Sequence, residues 1–406
     1  MRRPPLLGFA FSSSSFSQAS NSGGSGGSFE IEVTGPGGGG TWLFALPDEF
    51  SNTDGTFMLS IADSRVLYVG RIDLGSLDDR LGSGDADAAA ASIDWVEVDL
   101  ASTGVSEITD HYHVYAFGKH WISFAAYDGT DATDTDLWLV KIDPLDVVTA
   151  LARGAATVTP VAEVLVFSTT DSTALRYDAS ETYQTNDHFI VPVPTGIAVA
   201  IGHPTNASLR VITADRMLSS TAVGDVEFGD IRAFYDPMSP TGSAIASLEG
   251  DWKLLVPSSN SPATTQNELN LIETDAAFSA PTTTSSLTNT AYNFQMASFV
   301  ELANRDLVVA LNRVPTSGNY TSGETVVKDY GDIVLAIYNA ADLSSEEQSA
   351  VIQSCSHAQL GARPHVSRLD RWLLTCWDRA TYDSGTSLVS GQVCRLRVDL
   401  LSGTPW

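Results

Sequence analysis

The chain repeats one plan of short apolar segments six times, and this repetition restricts its possible folds more than any single motif does. Each repeat has a strand, a polar turn, a strongly apolar strand, a loop, and a last strand that ends on Asp or Asn. The apolar strands begin at Val66, Trp121, Ile197, Trp252, Leu307 and Trp372. The last strands end at Asp99, Asp143, Asp215, Asp275, Asn339 and Asp399. Two independent landmarks therefore give the same count of six.

A repeat of about 40 to 60 residues with about four strands is typical of a β-propeller blade. The apolar strands do not alternate with polar residues, as expected of sheets that are covered on both faces. A series of β-sandwiches is the alternative, but its units usually run near 100 residues. The sequence therefore predicts an all-β protein, a six-bladed β-propeller over residues 41–406. Its blades have the approximate limits 41–100, 101–147, 148–217, 218–277, 278–345 and 346–406.

Two further elements are predicted within the repeats. The longest repeat has room for an extra hairpin, formed by residues 161–167 with residues 174–177. Helical periodicity is almost absent, and Ser344–Ile352 is the only short helical candidate. The sequence thus predicts a chain made almost entirely of strands.

Closure of the ring is expected to involve a segment near the beginning of the sequence. Phe29–Val33 alternates apolar and acidic residues, which predicts a strand with Phe29, Ile31 and Val33 on one face. Either this segment or Trp42–Leu46 would complete the last blade beside Gln392–Leu400. The Gly-rich stretch after Val33 separates the first of these segments from the repeats, as in a clasp or an edge strand.

Residues 1–40 form an irregular, Ser/Gly-rich arm with this one short strand. Thirteen of the seventeen residues in Ser12–Ser28 are Ser or Gly, a composition that cannot bury enough surface to order itself. Basic and apolar residues at the start imitate a secretion signal, but Pro4, Pro5 and a run of four serines interrupt it. We interpret the segment as a retained docking arm whose partner-anchoring residues are Phe9, Phe11 and Phe16. A signal peptide and an unstructured tail are the alternatives.

Composition excludes several classes of partner. The chain has 22 Lys and Arg against 49 Asp and Glu, a formal net charge of −27. Such a surface repels nucleic acid and anionic membranes, and no apolar stretch reaches the ~20 residues that a membrane span needs. Three cysteines, Cys355, Cys376 and Cys394, do not make a disulfide scaffold. We expect buried free thiols, which suits a reducing cytoplasm.

Metal and histidine sites have only weak support in the sequence. His111 and His113 lie on one face of a predicted strand, and His357 and His365 lie in the last repeat, but structural or solvent-facing histidines are favoured. Four carboxylates in one loop could hold Ca²⁺ through their oxygen atoms, namely Asp128, Asp131, Asp134 and Asp136. A solvated acidic turn is the favoured alternative, and no other cofactor is expected.

No catalytic residue is predicted. Glycoside hydrolases use paired carboxylates, for which Glu301 with Asp306, or Asp187 beside His188, are weak candidates. The motifs of serine hydrolases, P-loop enzymes and dinucleotide-binding enzymes are absent from the sequence. We therefore expect a protein without enzymatic activity.

The last repeat carries a resemblance to known propellers. Arg363–Val398 resembles the degenerate propeller repeats of bacterial surface and phage proteins, and the combination of arm and blades resembles bacteriophage tail or virion appendage propellers. Thr381–Leu388 is similar to the Asp-box of sialidase-type propellers, although Leu388 stands where that family has Trp. The resemblance implies the propeller fold and a position for this loop between the third and fourth strands of a blade.

Two functions remain open. The first is a non-enzymatic structural or adhesion protein, a component of a bacteriophage tail or surface appendage that is made in the host cytoplasm. Its arm would bind other structural proteins of the virion, and its propeller would meet a glycan or protein receptor on the host. The second is an exported glycan-binding or glycoside-hydrolysing propeller, secreted or held at the cell surface. Neither involves nucleic acid or membrane insertion.

Overall fold

The computed structural model describes most of the repeat region and the strand before it. The described ranges are 27–36, 38, 40–48, 55–63, 66–79, 93–105, 107–127, 135–180, 184–202, 209–228, 243–246, 252–258, 268–275, 282–289, 291–315, 331–355, 360–369, 371–383 and 388–401. Within these ranges, 26 strands form six sheets. None of the helices in the described ranges combines the length and the apolar character needed to cross a membrane.

Each sheet is built mainly from consecutive strands, which follow one another from an inner first strand outward. The first sheet contains β2 (Thr41–Pro47), β3 (Thr56–Asp63), β4 (Val66–Asp73), β5 (Asp94–Val98) and β9 (Thr157–Val158). The second contains β6 (Glu107–Ala116), β7 (Lys119–Tyr127), β8 (Thr135–Ile142), β10 (Ala162–Ser168) and β11 (Arg176–Tyr177). The third contains β12 (Gln184–Val193), β13 (Gly196–Gly202), β14 (Leu209–Asp215) and β15 (Gly224–Phe228).

The remaining three sheets follow the same plan. The fourth contains β16 (Ser243–Ala246), β17 (Trp252–Ser258), β18 (Glu268–Thr274) and β19 (Thr282–Thr288). The fifth contains β20 (Tyr292–Glu301), β21 (Leu307–Pro315), β22 (Asp332–Tyr338) and β23 (Glu346–Gln353). The sixth contains β24 (Leu360–Leu369), β25 (Trp372–Asp383), β26 (Leu388–Leu400) and, outermost, β1 (Ser28–Val33).

The first strands of the six sheets form a closed inner ring. β2 contacts β6, β6 contacts β12, and the series continues through β16, β20 and β24 back to β2. The sheets therefore radiate from a central axis, and the predicted all-β, six-bladed β-propeller is confirmed. Apolar clusters fill the spaces between neighbouring sheets. This packing explains why a strand such as β13 is buried at all seven positions.

Ring closure is achieved by β1, the clasp predicted from the sequence. β1 pairs antiparallel with β26, and its apolar residues Phe29, Ile31 and Val33 are buried. On the opposite face, Glu30 and Glu32 pair directly with Arg397 and Arg395 respectively. The strand is thus held by apolar packing on one face and by ion pairs on the other. Trp42–Leu46 belongs instead to β2, the inner strand of the first sheet.

The first repeat is offset by one strand from the sequence prediction. In the other five sheets the predicted apolar strand is the second strand, whereas Val66 begins β4, the third strand of the first sheet. The second strand there is β3, which is buried at all eight positions. The landmark was wrong at this repeat because β3 and β4 are both apolar and adjacent.

The outermost strands lie beyond the approximate blade limits drawn from the sequence. β15, β19 and β23 complete the third, fourth and fifth sheets, although the expected blades ended near residues 217, 277 and 345. β19 is mostly exposed, and β23 is exposed at half of its positions. A solvent-facing outer strand has no continuous apolar signal, so the landmarks could not place it.

Two local predictions are wrong. β10 and β11 do form, but they pair in parallel and so are not a hairpin. The helical candidate Ser344–Ile352 falls on β23, while a ten-residue α-helix, Pro144–Arg153, follows β8. Asp143 caps this helix by accepting a hydrogen bond from the backbone N–H of Leu145 at 3.0 Å, and Gly154 ends it in a left-handed conformation. The Asp-Pro start and the Gly end are the sequence signals that would have identified it.

Two truncations, one that keeps β1 and one that removes it, test whether β1 closes the ring. Removing residues 1–26 should leave the free energy of unfolding unchanged within error, because β1 begins at Ser28. Removing residues 1–34 should lower it by about 5–9 kcal/mol, the burial of three apolar side chains at about 1.5–3 kcal/mol each. Urea unfolding of both truncations measures this. A peptide of residues 27–35 added to the shorter protein should restore stability, and equal stability of the two truncations would contradict the role of β1.

Candidate functional site

The inner strands of the first and sixth sheets run side by side in the same direction. The Phe44 and His365 ring centroids are 4.6 Å apart, and further along the strands the hydroxyl of Ser367 donates to the backbone oxygen of Ala45 at 2.8 Å. Residues at the beginnings of β2 and β24 therefore lie together at one face of the propeller. Function in ring-shaped folds often resides where such strand ends converge on an axis.

Four residues converge there: Trp42, Arg363, His365 and Asp378, together named the axial site. The Arg363 guanidinium lies 4.7 Å from the centroid of the Trp42 ring. Its Nη1 donates to Asp378 Oδ2 at 2.8 Å, and the Trp42 backbone N–H donates to Asp378 Oδ1 at 2.9 Å. Trp42, Arg363 and His365 are half-buried, whereas Asp378 is fully buried. The site thus has a partly exposed aromatic and basic surface over a buried carboxylate.

Both backbones are strained at this point. Trp42 has φ 58° and Arg363 has φ 52°, in the left-handed region that residues with side chains rarely adopt. The pairing of β2 with β3 and of β24 with β25 is irregular at the same positions. Each such residue costs about 1–3 kcal/mol, and such residues concentrate at binding and catalytic sites. The irregularities turn the two side chains towards each other.

Asp378 fixes the charge of the axial site. Burial raises the pKa of its carboxyl group, and the Arg363 guanidinium acts in the opposite direction. Its partners are all donors, namely Arg363, the Trp42 N–H and the Cys394 thiol at 3.3 Å. Because a protonated oxygen would need an acceptor, this set of donors fits the ionised carboxylate. Arg363 and Asp378 together form a neutral pair.

His365 supplies an uncommitted polar atom. Its ring packs against Phe44 and Tyr112, with centroid distances of 4.6 and 5.9 Å. The buried Nδ1 atom has no hydrogen-bond partner. Desolvation lowers the pKa of His365 to about 3, so the imidazole is neutral near pH 7. A neutral imidazole can donate or accept one hydrogen bond at each nitrogen.

A second polar network lies between the first two sheets. Ser60 Oγ lies 3.1 Å from His111 Nε2 and 2.9 Å from His113 Nδ1. The opposite nitrogen of His113 lies 3.0 Å from His120 Nδ1. All four residues are buried, and the prediction that His111 and His113 share a face is confirmed. The network joins sheet to sheet through hydrogen bonds, as expected of structural histidines.

A third network joins the second and third sheets. His188 Nε2 lies 2.7 Å from Ser123 Oγ, and its Nδ1 lies 3.3 Å from Asp110 Oδ1. This is the order of contacts found in Ser-His-Asp hydrolases. Ser123 is 0% exposed, however, so a substrate cannot reach its oxygen in this arrangement. The contacts act here as a polar connection between two sheets.

Most of the predicted metal site lies outside the described residues, which include Asp136 but not Asp128, Asp131 or Asp134. Asp136 is a buried residue of β8. Among the described residues, no group of three or more His, Cys, Asp or Glu side chains is arranged to hold a metal ion. The Ca²⁺ hypothesis remains a prediction.

Glu301 and Asp306, the predicted carboxylate pair, each contact other groups. Glu301 contacts the buried ammonium group of Lys253 at 2.5 Å, and Asp306 accepts a hydrogen bond from the N–H of Ala340, which follows β22. The side chain of Asp187 lies outside the described residues, as does His357. Phe9, Phe11 and Phe16 also lie outside them, so their anchoring role remains a prediction.

Two details of the last repeat differ from expectation. The Asp-box-like segment Thr381–Leu388 runs from the end of β25 to the start of β26, the second and third strands of the sixth sheet, because β1 occupies the fourth position. Cys376 and Cys394 are buried free thiols on adjacent strands, but they face Leu396 and Asp378 across the pairing rather than each other. Cys355 forms no disulfide and is half-buried.

Sequence reasoning missed the axial site as a set. Trp42 and Arg363 are separated by more than 300 residues, and a left-handed conformation outside glycine has no residue-type signal. The usable clue was the position of both residues near the start of an inner strand, since those strands meet at the axis.

The fold of this chain is shared with an enzyme, although no protein-family model and no curated protein matches its sequence. The endosialidase of phage phi92 is 10% identical, with a TM-score of 0.57 over 94% of this chain and 70% of that chain. An exo-β-1,3-galactanase from Clostridium thermocellum is 9% identical, with a TM-score of 0.43 over 74% of this chain and 60% of that chain. An exo-β-1,3-galactanase from Phanerochaete chrysosporium is 11% identical, with a TM-score of 0.42 over 72% of this chain, and the chain spans 60% of its length.

These matches correct one expectation from the sequence. The absence of standard catalytic motifs led to the prediction of a protein without enzymatic activity, and that prediction is contradicted, because the phage phi92 endosialidase, which shares the fold, is an enzyme. At about 10% identity the endosialidase match establishes the fold alone. The reasoning failed because glycoside hydrolases need only a pair of carboxylates at a suitable distance in space, and a search for short sequence motifs does not detect such a pair.

The neutral histidines between the first two sheets predict a pH-dependent stability. Burial lowers the pKa of His111 to about 3 and of His120 to about 4, and lowers that of His113 well below its usual value. The unfolded chain therefore binds more protons below about pH 6.5, and stability falls as the pH drops towards about 4. Each histidine contributes up to about 1.4 kcal/mol per pH unit. Urea unfolding at intervals from about pH 7.5 to 5 measures the slope, which His120→Gln should reduce; a flat profile would contradict the assignment.

The contact between Ser123 and His188, which connects the second and third sheets, leads to a separate prediction. Ser123→Ala leaves His188 without its hydroxyl partner and should lower the free energy of unfolding by about 1–3 kcal/mol. Ser349→Ala is the matched control, because the Ser349 hydroxyl contacts Glu346 at an exposed position. It should change stability by less than about 0.5 kcal/mol. Equal effects of the two substitutions in urea unfolding would argue against the connection.

Proposed function

We propose that the chain is a bacteriophage tail or surface-appendage component that binds a cell-surface glycan at its axial site. The observation that carries the proposal is the contact between Trp42 and Arg363 at two neighbouring left-handed residues of the inner ring. Holding both residues in this conformation costs stability, which a purely structural role does not require. A ligand that uses both side chains gives a reason for the arrangement.

The chemistry of the site fits a sugar. Ligand sites combine apolar and aromatic walls with a few fixed polar groups, and a sugar ring presents both C–H faces and hydroxyl groups. The half-buried indole of Trp42 offers an aromatic surface, and the Arg363 guanidinium beside it offers hydrogen-bond donors. Asp378 fixes the orientation of Arg363, so little side-chain entropy is lost on binding.

The phage origin is supported by the match to the phage phi92 endosialidase, which covers 94% of this chain. In the proposal, the Ser/Gly-rich arm attaches the propeller to other structural proteins of the virion. The position of β1 supports this arrangement, because the strand that follows the arm in the sequence lies at the rim of the sixth sheet rather than at the axis. Secretion or a cell-surface location is the alternative.

Hydrolysis of the bound glycan is a second candidate function. It is favoured by the fold that the chain shares with the phage phi92 endosialidase, an enzyme. Binding and hydrolysis are separable, since release of reducing ends from a polysaccharide reports turnover and retention on an immobilised glycan reports binding.

Trp42→Gly tests the proposed site. Glycine adopts a positive φ such as the 58° of Trp42 without strain, so this substitution removes the indole while keeping the backbone conformation. We expect binding to a glycan array to fall at least about tenfold, a loss of about 1.4 kcal/mol. Tyr177→Ala is the matched control, because Tyr177 is an exposed aromatic residue of β11 at the rim. Unchanged binding by Trp42→Gly, or equal loss by both variants, would overturn the proposal.

A further inference from the structure

We infer that the axial site takes an uncharged sugar residue and discriminates against sialic and uronic acids. This inference rests on the proposed function and adds the substrate class. It contrasts with the sialic acid chemistry that the name of the phage phi92 endosialidase indicates. The charges around Trp42 support this inference.

The cation of the axial site is already compensated. Arg363 Nη1 lies 2.8 Å from Asp378 Oδ2, and Asp378 is 1% exposed. A carboxylated sugar that approached Arg363 would compete with an internal carboxylate that cannot move into water. Leaving Asp378 without its partner in the interior is strongly unfavourable. Arg363 therefore serves as an oriented hydrogen-bonding group rather than as an anion receptor.

The other groups of the site carry no charge. His365 is uncharged near pH 7, because desolvation holds its imidazole in the neutral form. The Trp42 ring is uncharged and is half-buried. These groups suit hydroxyl and C–H groups, which have no net charge.

The electrostatic field of the whole protein also disfavours carboxylated sugars. The chain carries a formal net charge of −27, so a carboxylated glycan is repelled on approach at low ionic strength. This repulsion weakens as salt is added, because the Debye length falls from about 30 Å at 0.01 M to about 10 Å at 0.1 M. Binding of an uncharged glycan is largely insensitive to salt.

The experiment is a glycan array printed with matched pairs, each an uncharged oligosaccharide and its sialylated counterpart, read at about 20 and about 300 mM NaCl. We expect the uncharged member of the preferred pair to bind at least about tenfold more tightly at the lower salt concentration, with a smaller ratio at the higher one. Equal or tighter binding of the sialylated member would overturn the inference and leave the proposed function intact. Binding to no glycan would overturn the proposed function itself.

Asp378→Asn tests the origin of the discrimination. This variant keeps the shape of the side chain but leaves the Arg363 charge uncompensated, so the preference should shift towards the sialylated member by about tenfold. The double variant Arg363→Gln with Asp378→Asn restores neutrality and should restore the original preference. Arg313, which stacks on Tyr292 in the neighbouring sheet, is the control cation. If Arg313→Gln rather than Asp378→Asn alters the ratio, Arg363 is not the determinant and the inference fails.

Discussion

Burial of both faces of every sheet is the constraint on which the rest of this structure depends. Strands such as β13 are apolar at every position, and only a neighbouring sheet on each side can remove them from water. A row of such sheets leaves two apolar faces exposed at its ends, and a ring leaves none. The pairing of β1 with β26 completes the last sheet of that ring with a strand from the beginning of the sequence.

The same ring concentrates polar groups near the axis. The first strands of all six sheets meet there, so side chains far apart in sequence become neighbours. The Ser60 network and the His188 network connect adjacent sheets through hydrogen bonds that apolar packing alone would not orient. The axial site differs from both networks because Trp42, Arg363 and His365 remain partly exposed. Exposure and backbone strain together distinguish the axial site from these two buried networks.

Prediction from the sequence succeeded where a pattern is local and repeated. The five central strands from Trp121 onward were located because each is a continuous apolar run after a polar turn. The clasp at Phe29–Val33 was located because it alternates with period two. Val66 was misassigned because two apolar strands follow each other in the first sheet. The helix Pro144–Arg153 was missed because a search for apolar periodicity gave too little weight to its Asp-Pro and Gly boundaries.

Local patterns in the residues were enough to establish the number of blades and the all-β class, and they reduced the closing strand to two candidates. These properties follow from hydrophobic periodicity, which each segment carries in its own residues. The assembled fold was needed to show that Trp42, Arg363 and Asp378 form one site, and that His111 and His188 belong to polar connections between sheets. Those relations depend on which strands meet at the axis and on how the backbone bends there. Neither property is encoded in a short run of residues, because both arise from contacts between sheets that are distant in the chain.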